Sequence, residues 1–244
     1  MLANKNILVV VPARGGSKGI RLKNLQPLGG VPLVAIVGRV VEKLDFVDRA
    51  VVSTDHDGIA RVAEAAGLAA PFRRPEKLAG DRIADWDVLV HALNECEKID
   101  GYRYDVVVML QPTSPFRLPR HVAATVEKLV GGGFDAVWTV SKTDSKAHPL
   151  KQLVIEEGKL DYYDPEGAKI IARQQLQPVY HRNGVAYAIS RACLLEKRSI
   201  MGDNAAAVII DDPLVNIDTP DDFLWAEFLL ERGLPEIGEL LEKK

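Results

Sequence analysis

Cysteine is nearly absent from this chain: only Cys96 and Cys193 occur among its 244 residues, far apart and with no His or Cys at metal-ligand spacing. A disulfide framework and a Cys-based zinc site are thereby excluded, and two reduced thiols in a cytosolic protein are expected. Long apolar runs are missing as well. None approaches the roughly 20 residues that span a bilayer, and Met1 to Asn6 leads straight into a strand without a signal-peptide cleavage pattern. A cytoplasmic location with no membrane partner is the expectation. Neither charge sign dominates, with 31 Lys and Arg against 34 Asp and Glu. A nucleic-acid partner needs a basic face to neutralise phosphates, so none is expected, although a local basic pocket for one anionic ligand stays open. Internal repeats and low-complexity tracts are lacking, and no histidine has the surroundings of a general base.

What is present reads as one α/β body. Ile7 to Val11 is apolar without alternation, the mark of a strand buried on both faces. Similar strands are predicted at Arg49 to Thr54, Asp105 to Leu110 and Phe134 to Val140. Helices are predicted from Pro32 to Leu44, Gly58 to Ala66, Ile83 to Ile99 and Pro119 to Val130. This alternation predicts a doubly wound, mostly parallel Rossmann-like sheet, with ligands outside the carboxyl ends of its strands. The rhythm breaks after Ser141, where Leu153 to Tyr163 reads as a hairpin turning at Glu157-Gly158 and Gln174 to Gly184 as irregular. It resumes with strands at Val185 to Ser190 and Ala207 to Ile210 and a helix from Pro220 to Arg232. The domain reading is therefore a body of residues 1–140 and 186–244 with an inserted lobe, 141–185.

Three chemically loaded segments follow predicted strands. The first, Pro12 to Asn24, carries three glycines (Gly15, Gly16, Gly19) and four cations (Arg14, Lys18, Arg21, Lys23). Glycines let backbone N–H groups approach phosphate oxygens, and the cations neutralise them. Neither the Walker spacing nor the dinucleotide G-x-G-x-x-G pattern is present. The second segment is Arg74-Pro75-Glu76-Lys77-Leu78-Ala79-Gly80-Asp81. The third is Leu110-Gln111-Pro112-Thr113-Ser114-Pro115-Phe116-Arg117, whose amide and hydroxyls can hydrogen-bond a sugar, or can be no more than turn chemistry.

The run P-A-R-G-G-S-K-G-I-x-x-K-N resembles the N-terminal signature of the acylneuraminate cytidylyltransferases, the CMP-sialic acid synthetases. The second and third segments, Arg173-Gln174-Gln175 with Asn183-Gly184, and Asn216-Ile217-Asp218-Thr219-Pro220-Asp221-Asp222 resemble further motifs of that family in the same order, from Val11 to Phe223. The resemblance implies a nucleotidyltransferase that activates a sialic-acid-like nonulosonic acid with CTP, giving the CMP-sugar and pyrophosphate. It also implies that the lobe caps the sugar and forms a homodimer. On this reading Arg14, Lys23 and Asp218 are catalytic. Ala13, Arg14, Gly15, Ser17, Lys18, Lys23, Asn24, Arg74 and Asp81 bind the nucleotide. Gln111, Thr113, Ser114, Lys151, Arg173 and Gln174 bind the sugar, Arg173 as a planar fork for its carboxylate. Magnesium is the implied cofactor, held by Asp218. The usual motif has a second acidic residue where this chain has Asn216, whose neutral carbonyl lowers charge compensation and opens a role for Asp211 or Asp212.

Other classes stay in view. A Kdo cytidylyltransferase is the nearest, although the S-K-G-x-x-x-K-N loop and the R-Q-x segment favour the sialate branch. A GT-A-like glycosyltransferase would carry a D-x-D motif after a central strand, and none is seen. A non-catalytic nucleotide-binding module is favoured only by Asn216.

Overall fold

A computed structural model describes residues 2, 4–233 and 235–241. The chain runs β1 (Ile7–Pro12), β2 (Pro27–Leu28), β3 (Val31–Pro32), α1 (Leu33–Val41), β4 (Arg49–Ser53), α2 (Asp57–Ala65), α3 (Asp85–Asp100), β5 (Val106–Met109), α4 (Pro119–Gly132) and β6 (Ala136–Lys142). There follow β7 (Leu153–Glu156), β8 (Lys159–Tyr162), β9 (Tyr180–Ser190), α5 (Arg191–Leu195), β10 (Ala205–Ile209), α6 (Pro220–Glu231) and α7 (Pro235–Leu241). No helix among the described residues is long and apolar enough to cross a membrane.

The main sheet has the order β10-β6-β9-β5-β1-β4. Strand β1 is parallel to β4 on one side and to β5 on the other, with Val10 opposite Val51 and Met109. Strand β9 runs antiparallel to β5, so the mostly parallel sheet is mixed. The unbroken apolar run in β1 is explained by its two buried faces. Ile7, Val9 and Val11 pack with α1, α2 and α4, while Leu8 and Val10 pack with Leu89 and Leu93 of α3 and Leu194 of α5. Full burial of each such side chain contributes roughly 1.5–3 kcal/mol, so the central strand anchors both layers.

The chain crosses from β1 to β4 on one side, then returns to place β5 on the other. The order of the sheet reverses between β1 and β5, and the crevice outside their carboxyl ends is where such sheets take ligands. Two of the loaded loops, after Pro12 and after Met109, are thus set side by side.

By its internal contacts the chain divides into two compact units. The large one comprises Met1–Thr139, Asn183–Val208 and Asp212–Lys244, and the small one Val140–Arg182 with Ile209–Asp211. In the small unit β7 and β8 form a hairpin in which Glu156 pairs with Lys159, leaving Glu157 and Gly158 in the turn with positive φ. One sequence expectation is corrected. Tyr180 to Gly184 is not irregular but the first part of β9, and the exposure of Tyr180, His181 and Arg182 leaves no apolar pattern to announce it.

Helix α1 lies close to the turn that ends α2. A Cβ added at Gly38 would come within 2.1 Å of the Ala66 carbonyl oxygen, which only backbone movement relieves. Gly38→Ala is therefore expected to lower unfolding free energy by about 1–3 kcal/mol through overpacking, outweighing the gain of roughly 0.5–1 kcal/mol in helix propensity. Chemical denaturation measures this, and an unchanged or raised stability would show that the helices separate freely.

Candidate active site

Seven charged side chains line a cavity of about 480 Å³ in the large unit. Its walls come from the loop after β1, the segment from Arg74 to Asp85, the loop after β5 and the stretch before α6. One wall is cationic. Arg14 and Lys18 both face Asp81, with Arg14 Nη1 at 2.9 Å and Lys18 Nζ at 2.5 Å from its carboxylate. The hydrogen bond from Lys18, ahead of the charge of Arg14, holds the Asp81 carboxyl below its ordinary range. Any phosphate that enters must compete with Asp81 for these two cations. Ser17 and Gly19 complete this wall.

The loop is held from behind. Gly15 N–H donates to Asp55 at 2.8 Å, Asn24 donates its amide to the Arg14 carbonyl at 3.0 Å, and Ala13 N–H donates to the Ser53 carbonyl at 2.9 Å. Ala13 and Gly15 were expected to bind nucleotide; neither lines the cavity, and both act as anchors because their N–H groups are already used. Asn24 is buried yet does reach the lining. Asp55 was missed by sequence reasoning, and its only signal is an acidic residue two positions beyond the strand Arg49–Ser53.

Lys23, 14% exposed, sits deeper. Its Nζ donates to the Ile217 carbonyl and to Asp218 Oδ1, each at 2.8 Å. Asn216 Nδ2 lies 3.4 Å from the other Asp218 oxygen, so the departure from the acidic motif supplies a donor to Asp218 in place of a repelling charge. Gly19 is required beside them, since a Cβ there would lie 2.3 Å from the Asp218 carbonyl oxygen. Asp222 turns away from the cavity and accepts the N–H groups of Asp218 and Thr219, capping α6. The N–H of Asp218 is the main reason its pKa is lowered.

Arg74 is only 6% exposed and lines the cavity. Its guanidinium donates to Ser53 Oγ at 3.1 Å and to the Ser53 carbonyl, and burial pushes its pKa down to about 10. It is a fixed cation in the wall and not a surface salt bridge.

On the opposite wall Gln111 and Thr113 reach the cavity. Ser114, expected beside them, does not. Its hydroxyl donates to the Asn183 carbonyl at 2.7 Å and the residue is 1% exposed, so it ties the loop down. In the small unit Arg173 and Gln174 line a separate cavity of about 580 Å³ with Lys142 and His148, while Lys151 is exposed and outside that lining.

Among the described residues no three His, Cys, Asp or Glu side chains group to hold a metal ion. Asp212 is committed to Arg120 and His121 at 2.9 and 2.8 Å, and Asp211 belongs to the small unit. The exposed carboxylate of Asp218 suits a cation that takes most of its oxygens from phosphates and water, as Mg²⁺ does.

A family model described as cytidylyltransferase matches residues 8–209. The chain belongs to the cytidylyltransferases and is a nucleotidyltransferase enzyme. It is 30% identical over 236 residues to the CMP-N,N'-diacetyllegionaminic acid synthase of Legionella pneumophila, covering 92% of this chain and 96% of that one. It is 28% identical over 224 residues to an N-acylneuraminate cytidylyltransferase of Escherichia coli, covering 89% of this chain but 50% of that protein. The fold resembles that of CMP:2-keto-3-deoxy-manno-octonic acid synthetase complexed with CTP, with a TM-score of 0.68 at 18% identity over 94% of this chain and all of that one.

The ion pairs of Asp81 give a direct test of the cationic wall. Asp81→Asn frees Arg14 and Lys18 and is expected to tighten binding of inorganic tripolyphosphate about two- to fivefold, the scale of exposed ion pairs. Calorimetric titration measures it. Weaker binding would instead make Asp81 a ligand contact.

Proposed function

We propose that this member of the cytidylyltransferase family transfers the cytidylyl group of CTP to the anomeric hydroxyl of a sialic-acid-like nonulosonic acid. The hydroxyl oxygen forms a bond to the α-phosphorus as its proton passes to solvent, and the bond from the α-phosphorus to the bridging oxygen of the β-phosphate breaks, so that pyrophosphate leaves with the electron pair. Little covalent work falls to the protein, because such transfers are accelerated by positioning and charge neutralisation. The observation that carries this reading is the cluster of Arg14, Lys18, Lys23 and Arg74 around one cavity at the reversal point of the sheet.

In this scheme Arg14, Ser17 and Lys18 take the β- and γ-phosphates, and Arg74 adds a buried charge. Lys23 neutralises charge developing at the α-phosphoryl group. Asp218 holds Mg²⁺, with Asn216 beside it. Held there, Mg²⁺ would supply positive charge to offset that developing on the leaving pyrophosphate. Gln111 and Thr113 hold sugar hydroxyls. Arg173, with Lys151 and Gln174, is assigned the carboxylate of a sugar bound to the partner subunit. The sugar class is supported by the names of the legionaminate and N-acylneuraminate enzymes to which the chain is similar. The likeness to the octonic acid synthetase concerns the fold alone.

Pyrophosphate release with CTP or UTP against sialic, legionaminic, pseudaminic and Kdo acids tests the reading. Turnover is expected only with CTP, Mg²⁺ and a nonulosonic acid. Lys23→Ala should lower kcat about 10²–10³-fold, the usual loss for one transition-state donor, without unfolding. A Kdo-only enzyme, full activity in excess chelator, or near-normal turnover of folded Lys23→Ala would each overturn its part of the scheme.

We further infer a two-fold homodimer. The small unit is too small for a core of its own and exposes Leu153, Ile155, Leu160, Tyr163 and Ile171. If Arg173 serves the partner's sugar, mixing Arg173→Ala with Lys23→Ala subunits restores partial activity, since one composite site is intact. A fully active monomer in sedimentation would defeat the dimer, and failed complementation in a verified heterodimer would defeat the sharing.

A further inference from the structure

Beneath the loop after β5 lies a charge for which the scheme above has no use. Arg117 is 0% exposed, and no carboxylate among the described residues pairs with it. Its Nη2 donates to the Gln111 carbonyl at 2.7 Å and to the Gly184 carbonyl at 2.9 Å, and its Nε donates to the Val185 carbonyl. One planar fork thus joins the end of β5 to β9 through three neutral acceptors. Nη1 has no partner among the described residues.

Gln111, which Arg117 grips by its carbonyl, lines the cavity, as does Thr113. The Thr113 carbonyl accepts the Ile217 N–H at 2.8 Å. The Ile217 carbonyl accepts Lys23 Nζ at 2.8 Å, and the next residue is Asp218. A short hydrogen-bonded path therefore leads from the buried guanidinium through the sugar-side loop to the Lys23–Asp218 pair. The fit on the β9 side is close. Gly184 has φ +72°, and a Cβ there would lie 2.4 Å from Ser114 Oγ and 2.6 Å from Gln111 Oε1.

Energetics argue against a merely structural role. A buried cation opposed only by carbonyls is costly, and even buried ion pairs can often be replaced by well-packed apolar side chains without loss of stability. Burial lowers the guanidinium pKa to about 9, so it stays charged at neutral pH. What Arg117 supplies and an apolar residue cannot is a fixed angle between two backbone segments, together with positive potential behind a wall that meets anions.

We propose that Arg117 is a positioning residue for the transfer: its three-carbonyl clamp fixes the loop from Gln111 to Thr113 and, through the Ile217–Thr113 hydrogen bond, seats Asp218 against Lys23. The inference rests on the proposed reaction and adds to it a residue that touches neither substrate.

Arg117→Lys keeps the charge but loses the fork, because an ammonium is a point donor. It is expected to bind CTP within about threefold of wild type, since the cationic wall is separate. Its kcat should fall about 10- to 100-fold, the scale of displacing reacting groups by about 1 Å. The KM for the sugar acid and the half-saturating Mg²⁺ concentration should both rise. Measurements are made well below the variant's Tm, so that lost stability alone moves none of them. A folded Arg117→Lys with kcat, sugar KM and Mg²⁺ midpoint all within twofold of wild type overturns the inference. If that variant does not fold, Ser114→Ala, which removes the loop's other tether to β9, decides by the same three readouts. Absence of turnover in the wild type defeats the underlying reading of function, whereas an active wild type matched by its variant defeats the clamp alone.

Discussion

The ion pair between Lys23 and Asp218 joins segments 195 positions apart, and the cavity depends on their meeting. Lys23 lies at the end of the phosphate-type loop, and Asp218 precedes the Thr219 cap of α6. Each segment is fixed by its own local means: Asn24 holds the first through the Arg14 carbonyl, and Asp222 ends the second by capping the helix. Between them Ile217 ties to the loop after β5. Three loops from distant parts of the chain thus share one small network, and a change in any of them is felt by the others.

Cations must be concentrated at this place without being lost to desolvation or mutual repulsion. The chain meets that demand in two ways. Arg14 and Lys18 share the Asp81 carboxylate, which offsets their mutual repulsion. Arg74 and Arg117 are buried and face backbone carbonyls. A carbonyl stabilises a guanidinium without cancelling its charge, so these two leave net positive potential in the walls.

Much of this was legible in the sequence. The apolar runs at Ile7 to Val11 and Asp105 to Leu110 marked buried strands, because a strand covered on both faces cannot alternate. The Glu157-Gly158 turn was legible because glycine takes positive φ without strain. The clustered cations and glycines after β1, and the motifs around Gln111 and Asp218, singled out most of the cavity wall. What was not legible is the direction in which individual groups point. Ala13, Gly15 and Ser114 lie within the motifs, yet their polar groups point into the scaffold.

Residue type and local periodicity thus determined the strands, the helices and the inventory of charged groups, because these follow from burial patterns with short repeats. The tertiary structure alone decided which of those groups meet. It set β5 beside β1, ran β9 antiparallel to β5, committed Asp55 and Asp222 to backbone N–H groups, and buried Arg117 beneath the loop it grips. Such outcomes depend on strand order and on contacts between residues far apart in the chain, where a displacement of one bond length makes or breaks a hydrogen bond. No spacing in a linear sequence encodes that distance.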